Sequence, residues 1–470
     1  MKIFIDTVGC PKNHEDSERM AGGLAAAGHE IVFTPEEADA IVVNTCGFIE
    51  DAKRESIETI FSYVPYKAQP VIPANAGISP RPRKLIVTGC LSQRYADELK
   101  AELAEADLIL GVDAAEKLPG LIDGIDPCHP GLDPCHPGLD PCHPGLDPCH
   151  PGLDPGSTAP PRYALSSRYT STLKVAEGCS NSCAYCVIPR IRGPYRSVPM
   201  EDILEEAATL AREGARELVL IAQDVTCYGK ELYGEYRLPE LLRRLCQDDM
   251  LTDVQWIRLL YCYEERITDE LTRVMQAEPK LLHYIDIPLQ HVSADILKRM
   301  NRFSTPESIR DTIARLRAAM PDIVIRTTFI TGLPGETEED FEALMEFCEE
   351  TKFDRLGVFA YSREEGTAAA AMPDQVDPAL AEERKDALMR LQMDISLEAN
   401  ARLVGTVVCV IVDGTEDDYF IGRTKGDAPE IDNAVMFTVP GSAPAPTPGD
   451  FVRIRITDAM DYDLVGEMIS

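Results

Sequence analysis

Three cysteines fall in the run Glu177-Gly178-Cys179-Ser-Asn-Ser-Cys183-Ala-Tyr185-Cys186, three residues and then two apart. Three thiolates on one loop can hold three irons of a cubane iron-sulfur cluster, which leaves the fourth iron open to a substrate or cofactor. A structural zinc site calls for a fourth Cys or His at ligand spacing, and none lies near this run.

A second trio is spread along the first part of the chain: Cys10 in Val-Gly-Cys, Cys46 in Asn-Thr-Cys-Gly and Cys90 in Thr-Gly-Cys. Each follows a short apolar run that reads as a strand. Parallel strands place their carboxyl ends along one edge of a sheet, where such sheets bind ligands. The three thiols are therefore expected to converge despite gaps of 36 and 44 residues. A flanking glycine at each permits close backbone approach, and three ligands again imply a cluster with one accessible iron.

The elements that position these trios follow from periodicity. Residues 1–125 alternate apolar runs (Lys2 to Asp6, Glu30 to Phe33, Ala40 to Asn44, Lys84 to Thr88, Asp107 to Leu110) with helical patterns, as a doubly wound parallel sheet does. A proline-rich stretch, 65–83, reads as a loop insertion. Residues 126–161 carry a seven-residue repeat, Asp-Pro-Cys-His-Pro-Gly-Leu, whose Pro and Gly density forbids helix or central strand and marks an extended linker. The repeat supplies Cys128, Cys135, Cys142 and Cys149 with their adjacent His, but without a packed scaffold it offers no fixed ligand geometry.

From 162 to 400 a second α/β pattern places strands near Leu173, Leu218, Ile257, Tyr284, Ile323 and Arg355, which suits a full or partial TIM-type parallel barrel. Residues 401–470 read as short strands of a small β-barrel. Cys227, Cys246, Cys262, Cys348 and Cys409 sit on apolar stretches and are expected to be small core residues, and Trp256 is expected to pack.

The spacing and context of Cys179, Cys183 and Cys186 resemble the radical S-adenosylmethionine (SAM) superfamily. With the upstream trio, the chain resembles the methylthiotransferase family over nearly its whole length outside the two insertions. The resemblance implies two 4Fe-4S clusters: one at Cys179, Cys183 and Cys186 that cleaves SAM to a hydrogen-abstracting radical, and an auxiliary one at Cys10, Cys46 and Cys90. It also implies a TRAM-like carboxyl-terminal barrel and two uses of SAM, as methyl donor and as radical source. Gly335, in Thr331-Gly-Leu-Pro-Gly-Glu-Thr337, and the Gly214 to Asp224 segment stand at strand ends, and by resemblance contact SAM. Gln290 is expected to line the same cavity, with His291 beside it. No catalytic residue beyond the cysteines is assigned.

Several stretches look like the branch acting on an aspartate β-carbon of ribosomal protein S twelve, the RimO-like enzymes. They include Gly9-Cys-Pro-Lys-Asn13, Tyr284-Ile-Asp-Ile-Pro-Leu-Gln-His291, Asp354-Arg-Leu-Gly-Val-Phe359 and Ala428-Pro-Glu-Ile-Asp432. Charge points the same way. The chain carries a formal −33, and residues 401–470 hold five basic and twelve acidic residues, a net −7. Such a barrel repels RNA phosphates and attracts a basic protein. No strong nucleic-acid binding is expected, and a transfer-RNA adenosine methylthiotransferase is the alternative. A noncatalytic metal-binding or electron-transfer protein is a rival of another class.

Partners implied are the ribosomal protein, a reducing electron donor and a sulfur source. No apolar run approaches the ~18 residues of a membrane span and the first ten residues lack a basic leader, so a soluble cytoplasmic protein is expected. A reducing compartment also favours metal or redox roles for fifteen cysteines over disulfides.

Overall fold

The computed structural model describes residues 1–67, 83–124, 162–441 and 443–469. The 126–161 repeat and nearly all of the 65–83 insertion lie outside the described residues. The chain forms two compact units, Met1–Ser166 with Arg190–Arg192, and Ser167–Pro189 with Gly193–Ser470.

The first unit holds five parallel strands, β1 (Lys2–Thr7), β2 (Glu30–Val32), β3 (Ala40–Thr45), β4 (Lys84–Gly89) and β5 (Leu108–Ile109), in the order β2-β1-β3-β4-β5. Both faces are covered. One core packs Ile3, Ile5, Val42 and Ile86 against Met20 and Leu24 of the helix Pro11–Ala26; the other packs Ile41, Val43 and Val87 against Ile60 of the helix Glu50–Lys67. Burial on both faces explains why the central strands β3 and β4 read as continuous apolar runs rather than alternating ones. The second helix runs through Pro65 to Lys67, where a loop is expected from sequence. Pro65 lies in its last turn and, having no N–H, forgoes the bond that position would make to the Phe61 carbonyl.

The second unit begins with β6 (Thr170–Lys174) and a small hairpin, β7 (Ala176–Glu177) with β8 (Arg196–Ser197). It continues with β9 (Glu217–Ile221), β10 (Trp256–Leu259), β11 (Leu281–Gln290), β12 (Val324–Thr331) and β13 (Arg355–Ala360). The six long strands form one open parallel sheet in the order β13-β12-β11-β10-β9-β6. It is therefore the partial barrel. Its main core includes Leu218, Ile257, Ile285 and Phe329 against helix residues such as Ile203, Leu241, Ile313 and Phe347.

After the helix Pro378–Ala401, the strands β14 (Val407–Glu416), β15 (Tyr419–Thr424), β16 (Val435–Thr438), β17 (Phe451–Ala459) and β18 (Leu464–Met468) close into a barrel. Val410, Val412, Phe437 and Ile454 fill it. Trp256 meets Phe451 edge to face at 4.9 Å, so it does pack, at the seam between sheet and barrel. Glu217, fully buried, joins the same seam: it accepts from Arg258 and from Arg423, each at 2.8 Å. Burial alone would raise the Glu217 carboxyl, but the two guanidinium charges outweigh it and hold it below the usual carboxylate range.

Candidate cofactor site

In the first unit, the trio begins where strands end. Cys10 and Cys46 follow β1 and β3, and Cys90 opens a short helix directly after β4. Gly9 has φ +114°, and a Cβ there would stand 2.9 Å from Cys46 Cβ; one on Gly47 would stand 2.7 Å from Leu91 Cα and 2.9 Å from the Cys90 carbonyl carbon. Only glycine fits at either place, and the two contacts draw the three cysteine-bearing turns together. Asn13, fully buried, ties them: its Nδ2 donates to Val8 O (2.8 Å) and Thr45 O (3.1 Å), its main-chain N–H donates to Cys10 O (2.8 Å), and Cys90 Sγ lies 3.8 Å from its Oδ1. Burial pushes Cys90 up to about 12 against the opposing charge of Arg192, with Cys10 and Cys46 adding to the rise; burial also raises Cys46. Buried thiols that crowd one another electrostatically suit a cationic inorganic centre, which would hold them as thiolates.

In the second unit, Cys179, Cys183 and Cys186 lie on the loop between β7 and the helix Ile188–Arg192. Gly178 (φ +78°) lets the chain turn tightly against the Gly193 and Pro194 carbonyls, and Cys179 N–H donates to Gly193 O at 3.0 Å. Asn181 Nδ2 donates to Asp224 Oδ2 at 3.0 Å, and Arg266 clamps both, Nη1 to Asp224 Oδ2 (2.8 Å) and Nη2 to Asn181 Oδ1 (3.0 Å). Ala184 N–H donates to Met300 O, and Asn301 Nδ2 donates to Ser182 O. The loop is thus fastened on two sides before any cofactor binds. Burial pushes Cys186 up to about 12 and raises Cys179, with Cys183 pushing both in the same direction.

Among the described residues, no three His, Cys, Asp or Glu side chains close around a single ion. A cubane takes its thiolates around four irons instead, and the donor chemistry of both trios, three thiols and no competing acid in the loop, fits that group.

The structure places Gly335 (φ +84°) in the turn after β12, where a Cβ would meet the Arg299 guanidinium at 2.5 Å. Gln290 ends β11 with φ +71°, beside a register shift against β12. His291 is buried, with Nδ1 accepting from Ser293 N–H (2.9 Å) and Nε2 at 3.6 Å from Glu336. Glu336 in turn accepts from Gly332 N–H (2.9 Å) and Arg384 (2.7 Å), so His291 and Glu336 brace the turns after β11 and β12. At the end of the Gly214 to Asp224 segment stands Asp224. Its side chain is fully buried and engaged by Asn181, Thr226 and Arg266, which makes it a support for the cysteine loop.

Sequence reasoning missed several participants. Arg302 lies 4.1 Å over the Tyr263 ring, and the Tyr263 hydroxyl lies 3.5 Å from Cys183 Sγ. Asn13 was visible only as part of the Cys-Pro-Lys-Asn string. Of the remaining cysteines, Cys246, Cys262 and Cys348 are buried as expected, Cys227 is half-buried, and Cys409 is exposed, since β14 alternates and turns it outward. In the barrel, three of the twelve acidic residues face inward pairs: Asp413 with Arg423, Asp427 with Arg355 and Asp432 with Arg326.

The described helices include none long and apolar enough to cross a membrane. Three family models match in succession: Uncharacterized protein family UPF0004 over residues 2–111, the Radical SAM superfamily over 173–348, and the TRAM domain over 404–469. The chain is 47% identical over 472 residues to the "Ribosomal protein uS12 methylthiotransferase RimO" of Geobacter sulfurreducens, covering 100% of this chain and 99% of the relative. To the protein of the same name from Clostridioides difficile it is 43% identical over 470 residues, covering 100% and 99%. Among solved structures, the radical S-adenosylmethionine methyltransferase TsrM from Kitasatospora setae shares the fold, with a TM-score of 0.53, 14% identity and coverage of 84% of this chain and 89% of that one. Three domains in this order, with identity of this extent over the full length, make the chain a member of the radical SAM family of ribosomal protein uS12 methylthiotransferases, the RimO family.

Proposed function

We propose that the chain replaces a β-hydrogen of an aspartate in ribosomal protein uS12 with a methylthio group, using two 4Fe-4S clusters held by separate cysteine trios. The observation that carries the reading is the full-length identity to uS12 methylthiotransferases, joined to two thiol trios that each sit on a braced edge of their own unit. When bound, one cluster with SAM supplies reductive cleavage and a hydrogen-abstracting radical, and the other supplies a site from which sulfur and a methyl group are delivered.

The chain's own residues do the positioning. Cys179, Cys183 and Cys186 would hold the radical-generating cluster, and the Asp224, Asn181 and Arg266 clamp fixes their loop. Cys10, Cys46 and Cys90 would hold the auxiliary cluster, with Asn13 as the brace. Gln290 and the Gly332 to Gly335 turn would border SAM. Both stand at carboxyl ends of strands, the end at which parallel sheets build active sites. Gln290, Gly332 and Gly335 all have positive φ, a conformation that supports close backbone approach to a bound ligand. The enzyme works in the cytoplasm, where its ribosomal substrate, a low-potential electron donor and a sulfur source are at hand.

The test offers uS12 and transfer RNA together to the reconstituted, reduced enzyme without oxygen and asks by mass spectrometry which one gains a methylthio group. The reading predicts uS12, modified at an aspartate. Modification of the transfer RNA alone would replace it with the transfer-RNA activity.

A further inference from the structure

At the end of the six-stranded sheet opposite the cysteine loop lies a cavity of about 390 Å³. Arg326 and Arg355, near the amino ends of β12 and β13, form its floor; the helix Pro378–Ala401 forms one wall, and the carboxyl-terminal barrel forms the other through Ile431, Asn433, Tyr462 and Asp463.

Three buried polar atoms lining this cavity have no hydrogen-bond partner: Gln392 Oε1, Ser396 Oγ and Asn433 Nδ2. Gln392 and Ser396 are each only 2% exposed. Leaving such groups unmatched costs about 1–3 kcal/mol each, so the lining favours a polar occupant. Gln392 Nε2 donates to Phe353 O at 2.9 Å, which turns the other end of the amide, the acceptor, away from that bond. Met389, Gln392 and Ser396 follow one another at helical spacing along one helix face. They give the cavity an apolar stretch followed by an acceptor and a hydroxyl.

The charge of the cavity is negative. Arg326 is neutralised by Asp286 (2.9 Å) and Asp432 (3.2 Å), and Arg355 by Asp427. Asp354 and Asp463 also line it, so the lining residues and their direct ion-pair partners comprise five carboxylates against two guanidinium groups. An acceptor, a hydroxyl and excess carboxylate suit an ammonium or guanidinium group. Met389, Leu356 and Tyr462 suit the alkyl stem that carries it, and Asn433 Nδ2, a donor, calls for a carbonyl on the same ligand. A lysine or arginine residue within a polypeptide has all three parts. Tyr462, which also lines it, is 37% exposed.

We infer that this cavity is an exosite that receives a basic residue of the protein substrate, away from the reacting atoms. The inference rests on the uS12 reading above: a protein that folds against RNA phosphates is rich in Lys and Arg, and this chain carries a formal −33. Remote contacts of this kind supply binding energy to a macromolecular substrate without touching the chemistry.

The test uses the full-length, reconstituted enzyme. Ser396→Leu fills the cavity, and Asn433→Ala removes the donor with little change in volume, so one variant covers for misfolding of the other. Calorimetric binding of uS12 is expected to weaken about tenfold in each, equivalent to about 1.4 kcal/mol, while reductive SAM cleavage measured without uS12 stays at the parent rate. Unchanged uS12 affinity in both folded variants overturns the exosite. So does saturable binding of free agmatine that both variants abolish while uS12 binding stays intact, since the cavity would then serve a small amine. Because uS12 binding is read directly, an enzyme that binds uS12 through this cavity but modifies something else would refute the proposed activity and leave the exosite standing.

Discussion

The carboxylate of Asp224 and the amide of Asn181 meet at 3.0 Å, and through that one bond the end of the β9 segment takes hold of the loop that carries Cys179, Cys183 and Cys186. Arg266 binds both partners, and bonds from Ala184 to Met300 and from Asn301 to Ser182 fasten the loop on its other side.

Asp224→Ala removes the acceptor and strands Arg266, whose side chain is 19% exposed, beside a buried gap. Breaking a buried ion pair costs about 3–5 kcal/mol, and partial exposure puts this one at the lower end. The variant is expected to unfold at lower denaturant and, after reconstitution, to hold iron only at Cys10, Cys46 and Cys90. Denaturation midpoints and iron analysis check both.

Asn13 plays the matching role in the first unit. Asn13→Ala leaves the Val8 and Thr45 carbonyls without their donor, at about 1–3 kcal/mol for each group left unsatisfied. Its iron content should fall by about one cluster while SAM cleavage at the other cluster persists. The paired measurement of iron and 5'-deoxyadenosine separates this outcome from general unfolding, which would lower both.

Glu217 makes stability depend on acid. Its folded pKa is depressed, against the effect of burial, by Arg423 and Arg258. Its contribution is therefore complete above the unfolded carboxyl value near ~4.3 and is lost as pH falls through the lower folded value. Glu217→Gln, which leaves two buried guanidinium groups facing a neutral amide, should cost about 3–5 kcal/mol at neutral pH. It should also flatten the acid limb of a stability-against-pH curve measured by urea unfolding.

Much of this architecture can be read from residue order. The strands β3, β4 and β9 announce themselves as apolar runs because both their faces are buried, and the glycines beside Cys10, Cys46 and Cys90 mark the close approach that the structure contains. What escapes is tertiary. Asp224, Arg266 and Asn181 are separated by tens of residues and look like ordinary polar side chains until the sheet brings them together. The strand Leu464–Met468 is five residues with a central glycine, too short to signal by period. Cys409 sits in the run Val-Val-Cys-Val-Ile-Val, whose uniform apolarity hides an outward-facing position. The inward pairing of Asp413, Asp427 and Asp432 is invisible to a count of charges.

The division of labour between the trios is tested by Cys183→Ala and Cys46→Ala. The first should abolish SAM cleavage. The second should retain cleavage, uncoupled from sulfur insertion, with uS12 released unmodified. Loss of cleavage in a folded Cys46→Ala chain that keeps its other cluster would refute separate roles.

The most direct measurement is iron and acid-labile sulfide per chain in anaerobically reconstituted parent protein, with the same analysis of Cys46→Ala and Cys183→Ala. Two independent cubanes predict about eight irons and eight sulfides in the parent and about four of each in either variant. About four of each in the parent, or no loss on removing either thiol, would contradict the account.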